Sequence, residues 1–132
     1  MTIATPIATD RLLRLALRID GVASGALGVG LLALAGVAED RLGASTALTV
    51  SVGIFLVLFG AALVLLAARP RIPPAAVWVI IIGNLGWVAE SVILAVSDDL
   101  TGLGVALTLA QAAAVLVFAD LEYAGLRRAM RR

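Results

Sequence analysis

Residues 47–68 read ALTVSVGIFLVLFGAALVLLAA, a run of 22 residues without one charged side chain. Apart from Thr49 and Ser51 in its first turns, a helix built from this stretch is apolar all round. At 1.5 Å per residue it is long enough to cross a hydrocarbon layer of about 30 Å, so it reads as a transmembrane helix. Working outward, residues 19–38, 74–96 and 100–119 form three more runs near the ~20 residues that a span requires. Helices are therefore expected at about 12–38, 45–68, 74–96 and 100–126. The connections between them are short, which predicts an all-α fold, a single four-helix transmembrane bundle over residues 1–132 with antiparallel up-down neighbours.

The composition supports hydrocarbon as the solvent. Mean hydropathy is +1.11, 62% of residues are hydrophobic, and the charged fraction of 14% falls below the ~25% usual in soluble chains. The chain has neither cysteine nor histidine, which removes disulfides, thiolate nucleophiles, imidazole metal ligands and histidine acid/base chemistry. No catalytic group, cofactor or metal site is expected. Arg11, Arg14 and Arg18 ahead of an apolar run also suit a secretory signal, but an h-region has only ~7–15 residues and this longer run contains Asp20. It reads as a retained first helix.

Charge placement assigns the orientation. Arg11, Arg14, Arg18, Arg69, Arg71, Arg127, Arg128, Arg131 and Arg132 flank one side of the spans, whereas the other carries Arg41 with Glu39, Asp40, Asp98 and Asp99. Arginine is retained on the cytoplasmic side during insertion, so both termini are expected in the cytoplasm and the protein in a bacterial cytoplasmic (inner) membrane, multi-pass.

Helical phase at 100° per residue sorts the polar groups. Gly21, Ser24, Gly25 and Gly28 form small-xxx-small pairs on the first helix, which let backbones approach. The third helix carries Asn84, Trp87, Glu90 and Ser91 within a sector of about 120°. With Thr49 from the second helix and Thr108 and Gln111 from the fourth, they are expected to line a polar column inside the bundle. Depth counted along each helix places Asn84 and Gln111 near the midplane and Glu90 about 10 Å inside the outer boundary. Asp20 and Glu122 fall near the cytoplasmic interface, where Asp20 is expected to pair with Arg127 or Arg128. Glu90 has no arginine at its depth, and a carboxylate within a span is a functional candidate by default. It reads either as a coupling acid or as a packing group bonded to Thr49, Thr108 or a neighbouring subunit.

The arginine-rich start, Asn84-x-x-Trp87, and the ending Glu122-Tyr123-x-Gly125-Leu126-Arg127-Arg128 together resemble small four-helix integral membrane proteins of actinobacteria. The resemblance spans most of the chain and implies a multi-pass fold without implying an activity. The expected role is a non-enzymatic structural or accessory subunit of a membrane assembly. The alternatives are a small proton-coupled transporter or channel that uses Glu90, and a lipid- or quinone-binding bundle. Expected partners are membrane lipids and either further copies or other membrane proteins; the short basic tail suits anionic lipid rather than nucleic acid.

The absence of cysteine makes the orientation directly measurable. Asp40→Cys or Ser97→Cys is expected to react with a membrane-impermeant maleimide in intact cells, and Arg71→Cys only after lysis. The opposite pattern inverts the assignment.

Overall fold

The computed structural model describes residues 7, 8 and 10–131. Its elements are β1 (Ile7–Ala8), α1 (Arg11–Ala33), α2 (Ala35–Leu42), α3 (Thr46–Ala67), β2 (Arg71–Ile72), α4 (Pro74–Ala95) and α5 (Gly102–Met130). Among the described residues, α1, α3, α4 and α5 are long and apolar enough to cross a membrane. The fold is all-α apart from one two-residue antiparallel ladder, in which Ile7 faces Ile72 and Ala8 faces Arg71.

Two boundaries differ from the apolar runs. The first run is two helices, because the chain turns at Leu34 (φ −105°, ψ 10°) before α2 begins. The turn lays the small residues Ala35 and Ala38 into the interior, a placement that hydropathy does not encode. At the other end α5 continues to Met130, a full turn past residue 126, and buries Leu126 and Ala129.

Local chemistry explains where the helices start and stop. Asp10 caps α1 through a 2.8 Å bond from the Leu12 amide, Ser45 caps α3 through Leu48, and Thr101 caps α5 through Gly104. Pro74 occupies the first turn of α4, where its missing N–H is no loss. Gly43 ends α2 with φ +83°, in the left-handed region that a side chain disfavours, and a Cβ there would stand 2.5 Å from the Asp99 carbonyl oxygen. The Arg14 guanidinium donates to the carbonyls of Ala67 and Arg69, so a cation closes the C-terminal end of α3.

In space, α1 lies between α3 and α5, and α5 lies between α1 and α4. Consecutive α3 and α4 are not close backbone neighbours, contrary to the simple up-down expectation. Glycine decides this. A Cβ on Gly21 would come within 2.9 Å of the Gly60 carbonyl oxygen, one on Gly28 within 2.7 Å of the Gly53 oxygen, and one on Gly125 within 2.5 Å of Leu13 Cα. The α1–α3 and α1–α5 backbones therefore touch, as small-residue packing in lipid requires. By contrast α3 and α4 meet through aromatic rings, with Phe55 and Trp87 stacked at 5.9 Å between centroids. Gly25 contributes backbone, since a Cβ on Gly60 would lie 2.7 Å from its nitrogen, but its own Cβ position opens to free space.

The core is concentrated toward the arginine-rich end, where Leu13, Leu17, Leu63, Ile72, Val77, Ile80, Ile81 and Leu126 pack together. The outer surface is apolar too: Leu15, Val22, Leu58, Leu65, Val79, Ile82 and Ile93 are exposed, which suits surrounding acyl chains.

The two glycine classes should separate in unfolding measurements. Gly60→Ala places a methyl against backbone and is expected to cost about 1–3 kcal/mol. Gly25→Ala meets nothing and is expected to be neutral or stabilising by up to about 1 kcal/mol, from helix propensity. Equilibrium unfolding in detergent measures both.

Candidate functional site

The interior phase of α1 runs through Leu13, Ala16, Leu17, Asp20, Gly21 and Ser24, and thus places a carboxylate on the buried face. On α4 the corresponding positions are Val77, Ile80, Ile81 and Asn84, and on α5 they are Ala119, Glu122 and Leu126. The three polar side chains meet. Asn84 Nδ2 donates to Asp20 Oδ2 at 2.8 Å and to Glu122 Oε1 at 2.9 Å, while Ser24 Oγ donates to Asp20 Oδ1 at 3.2 Å. Asp20 and Glu122 are 0% exposed and Asn84 4%. The second Glu122 oxygen takes no hydrogen bond from any described residue.

This cluster ties α1, α4 and α5 at one level, about 12–15 Å inside the arginine-rich ends of their helices. Depth counted separately along each helix had put Asn84 at the midplane and the two acids at the interface. They share a level because α1 begins at Arg11, ahead of its apolar run, and α5 continues to Met130, past its own, so each acid lies about as far inside its helix as Asn84 does. Nor does either acid meet the expected arginine. The carboxylate beside Arg128 is Asp10, at 3.6 Å, and Arg127 lies over the Tyr123 ring at 5.7 Å. Asp10 thus joins the start of α1 to the end of α5. Its position just before the first helical residue marks it as a cap, but the pairing with Arg128 has no local signature.

Toward the acidic end a second network joins α4 to α5. Trp87 Nε1 donates to Gln111 Oε1 at 2.8 Å; Gln111 Nε2 donates to Ser91 Oγ at 2.9 Å and to the Thr108 carbonyl at 2.8 Å. Ser91 Oγ donates in turn to the Trp87 carbonyl at 2.8 Å. Thr108 takes part through its backbone, and the buried Thr49 hydroxyl turns back to the Ser45 carbonyl of its own helix. Ser91 closes the network; its spacing of four from Trp87 and seven from Asn84 already placed it on their face. A cavity of about 70 Å³ separates the two networks and touches Ser24, Asn84 and Trp87, with Phe55, Phe59 and Val115 among its walls.

Glu90 stands apart from both networks. It is exposed on the outer side of α4 and has no hydrogen-bond or ion-pair partner among the described residues. The reason is angular. α5 covers the part of the sector that holds Asn84, Trp87 and Ser91, and Glu90, 120° from Asn84 by helical phase, falls beyond its edge. The structure accordingly brings together Asp20, Ser24, Asn84 and Glu122, and separately Trp87, Ser91, Thr108 and Gln111, but joins Glu90 to neither. Among the described residues no group of three His, Cys, Asp or Glu side chains is placed to hold a metal ion. Chemically, the interior cluster is an enclosed pair of carboxyl groups that share one amide donor.

That sharing has a measurable consequence. Asn84→Leu withdraws the donor from two buried oxygens and is expected to destabilise the protein by about 1–3 kcal/mol for each. Adding Asp20→Leu and Glu122→Met to Asn84→Leu removes the stranded acceptors and should recover most of the loss. Equilibrium unfolding of the single and triple variants measures the difference.

Comparison with protein-family models, curated proteins and solved structures gives no match at any of the three levels.

Proposed function

We propose that this chain is a non-enzymatic accessory subunit of a bacterial inner-membrane assembly, with both termini cytoplasmic, which engages a partner through the outer face of α4. The coarser part of this reading, a small membrane protein, follows from four apolar helices of spanning length. The observation that carries the finer part is Glu90. A carboxylate exposed within a span is costly in lipid, by about 2.5–3.5 kcal/mol for Asp on insertion scales, unless a partner meets it.

The surrounding face suits a helix. Val79, Ile82, Gly86, Glu90 and Ile93 recur at spacings of three and four along α4, and all five are exposed. A Cβ on Gly86 would meet nothing within 4 Å, so a second backbone has room to approach one turn from Glu90. Charge complementarity selects the partner's chemistry, namely a transmembrane helix with an arginine, a lysine or another hydrogen-bond donor at the depth of Glu90. A second copy of this chain is a poor source. Nine of its ten arginines lie at the opposite end, and Arg41 belongs to α2 beyond the spans.

A photo-crosslinker at Ile82 or Gly86 is expected to capture a single membrane protein with a basic or donor side chain at the matching depth. Glu90→Ala should lower co-purification at least tenfold. Glu90→Gln, which still hydrogen-bonds, should fall between. Crosslinking to lipid alone, or equal co-purification of all three forms, overturns the reading.

A further inference from the structure

On the side of α1 and α3 away from the polar cluster, the backbone contact at Gly21 and Gly60 leaves an open apolar groove of about 740 Å³. Its floor is glycine, and Val22, Val29, Ala61 and Leu65 form its sides. The groove runs along the helices as an acyl chain lies in a bilayer. Its arginine-rich end is not apolar. Arg11 and Arg18 are spaced by seven, and Gly25 follows Arg18 by seven, so all three lie on one face of α1, with Arg18 about one turn and Arg11 about three turns beyond Gly21, the groove's last residue on that helix. Arg69 follows α3 at the same end. Arg14, between the two α1 arginines, is occupied by the terminal carbonyls of α3 and holds that end together. Arg11, Arg18 and Arg69 are exposed, and their guanidinium groups have no hydrogen-bond or ion-pair partner among the described residues.

We propose that this groove is a binding site for one anionic phospholipid, with an acyl chain laid over Gly21, Gly25 and Gly60 and the headgroup phosphate held by Arg18 together with Arg11 or Arg69. Two requirements meet here. A glycine floor gives a chain the depth that ordinary side chains deny it, and guanidinium groups bind phosphate with paired N–H donors, in the manner of basic pockets between membrane helices. Charge complementarity selects a phospholipid over a second protein helix, because the cations gather at one end of the groove, at headgroup height, while the rest is apolar. The site rests on the reading that α1 and α3 cross a bilayer; it does not depend on a partner at Glu90.

The test is native mass spectrometry of the full-length protein released from bilayers of mixed phosphatidylglycerol and phosphatidylcholine. The expected result is one phosphatidylglycerol retained per chain in preference to phosphatidylcholine. Arg11→Gln with Arg18→Gln should weaken that retention by about fivefold per arginine. Gly25→Leu is the sharper variant: a Cβ at Gly25, which lines the groove, meets nothing within 4 Å, so retention should fall with little change in melting temperature. Equal retention of the two lipids, or retention untouched by either set of substitutions, overturns the site. So does a dimer that Gly25→Leu abolishes without loss of lipid, since a second copy would then be the occupant. Recovery of the chain in aqueous buffer without detergent would instead remove the membrane reading itself.

Discussion

One amide nitrogen holds the bundle's interior in register. Asn84 has two N–H bonds, and each ends on a different carboxyl group, one from α1 and one from α5. In an apolar interior an unmet acceptor costs far more than it does at a surface, so both acids are confined to the positions that Asn84 can reach. That confinement sets the rotation of three helices at once. It also sets their vertical offsets, since a slide of one residue along any of them would move a side chain by 1.5 Å and 100°. The apolar contacts of Leu13, Leu17, Val77 and Leu126 below the cluster are compatible with several registers, because hydrophobic burial is not directional. The polar cluster, together with the backbone contact of Gly125 on Leu13, selects among them.

Glycine determines which helices come close enough to be held in this way. Where α1 meets α3 and α5, the contact is between backbones, and attraction comes from dense packing rather than from expelling water, as expected for helices in lipid. Where α3 meets α4, stacked rings of Phe55, Phe59 and Trp87 intervene, and the small cavity beside Asn84 is what these larger, less adaptable shapes leave unfilled. The same glycines that bring α1 against α3 also hollow the outer side of that contact. The groove is thus a geometric consequence of the packing, and the arginines beyond one end of it give it a chemical direction.

The fold was largely legible because hydropathy is a one-dimensional signal and a span is a one-dimensional object. Residues 47–68 and 74–96 bracket α3 and α4 to within a residue at each end. The break at Leu34 was hidden, since the apolar run passes through it to Ala38, and the burial of Ala35 and Ala38 that accompanies the turn is a tertiary contact. Polar contacts were legible by phase but not by height. Phase turned Asn84 and Gln111 toward the interior, and each bonds there to a neighbouring helix, because 100° per residue is a property of one helix. Height is a relation between helices, set by where each begins, and so the meeting of Asp20 with Glu122 across Asn84 was out of reach. Glu90 shows the limit of phase itself. A sector of 120° is wider than the strip one neighbouring helix covers, and the residue at its edge falls outside.

Glu90 and the interior acids then pose the same electrostatic problem in two solvents. Asp20 and Glu122 solve it within the chain, through Asn84 and Ser24, without a cation from the arginine-rich end, where Arg14 serves a helix terminus and Arg128 lies beside Asp10. Glu90 lies toward the other end of α4, outside the bundle, where this chain places no basic side chain of its own in the spans. An interior acid without a partner would be a defect in folding. An outward one is tolerated by the isolated fold, because nothing in the bundle packs on it, and becomes costly only when hydrocarbon surrounds it. The bundle therefore forms without regard to Glu90, and in a bilayer the partner helix proposed above would supply the donor that the fold itself does not.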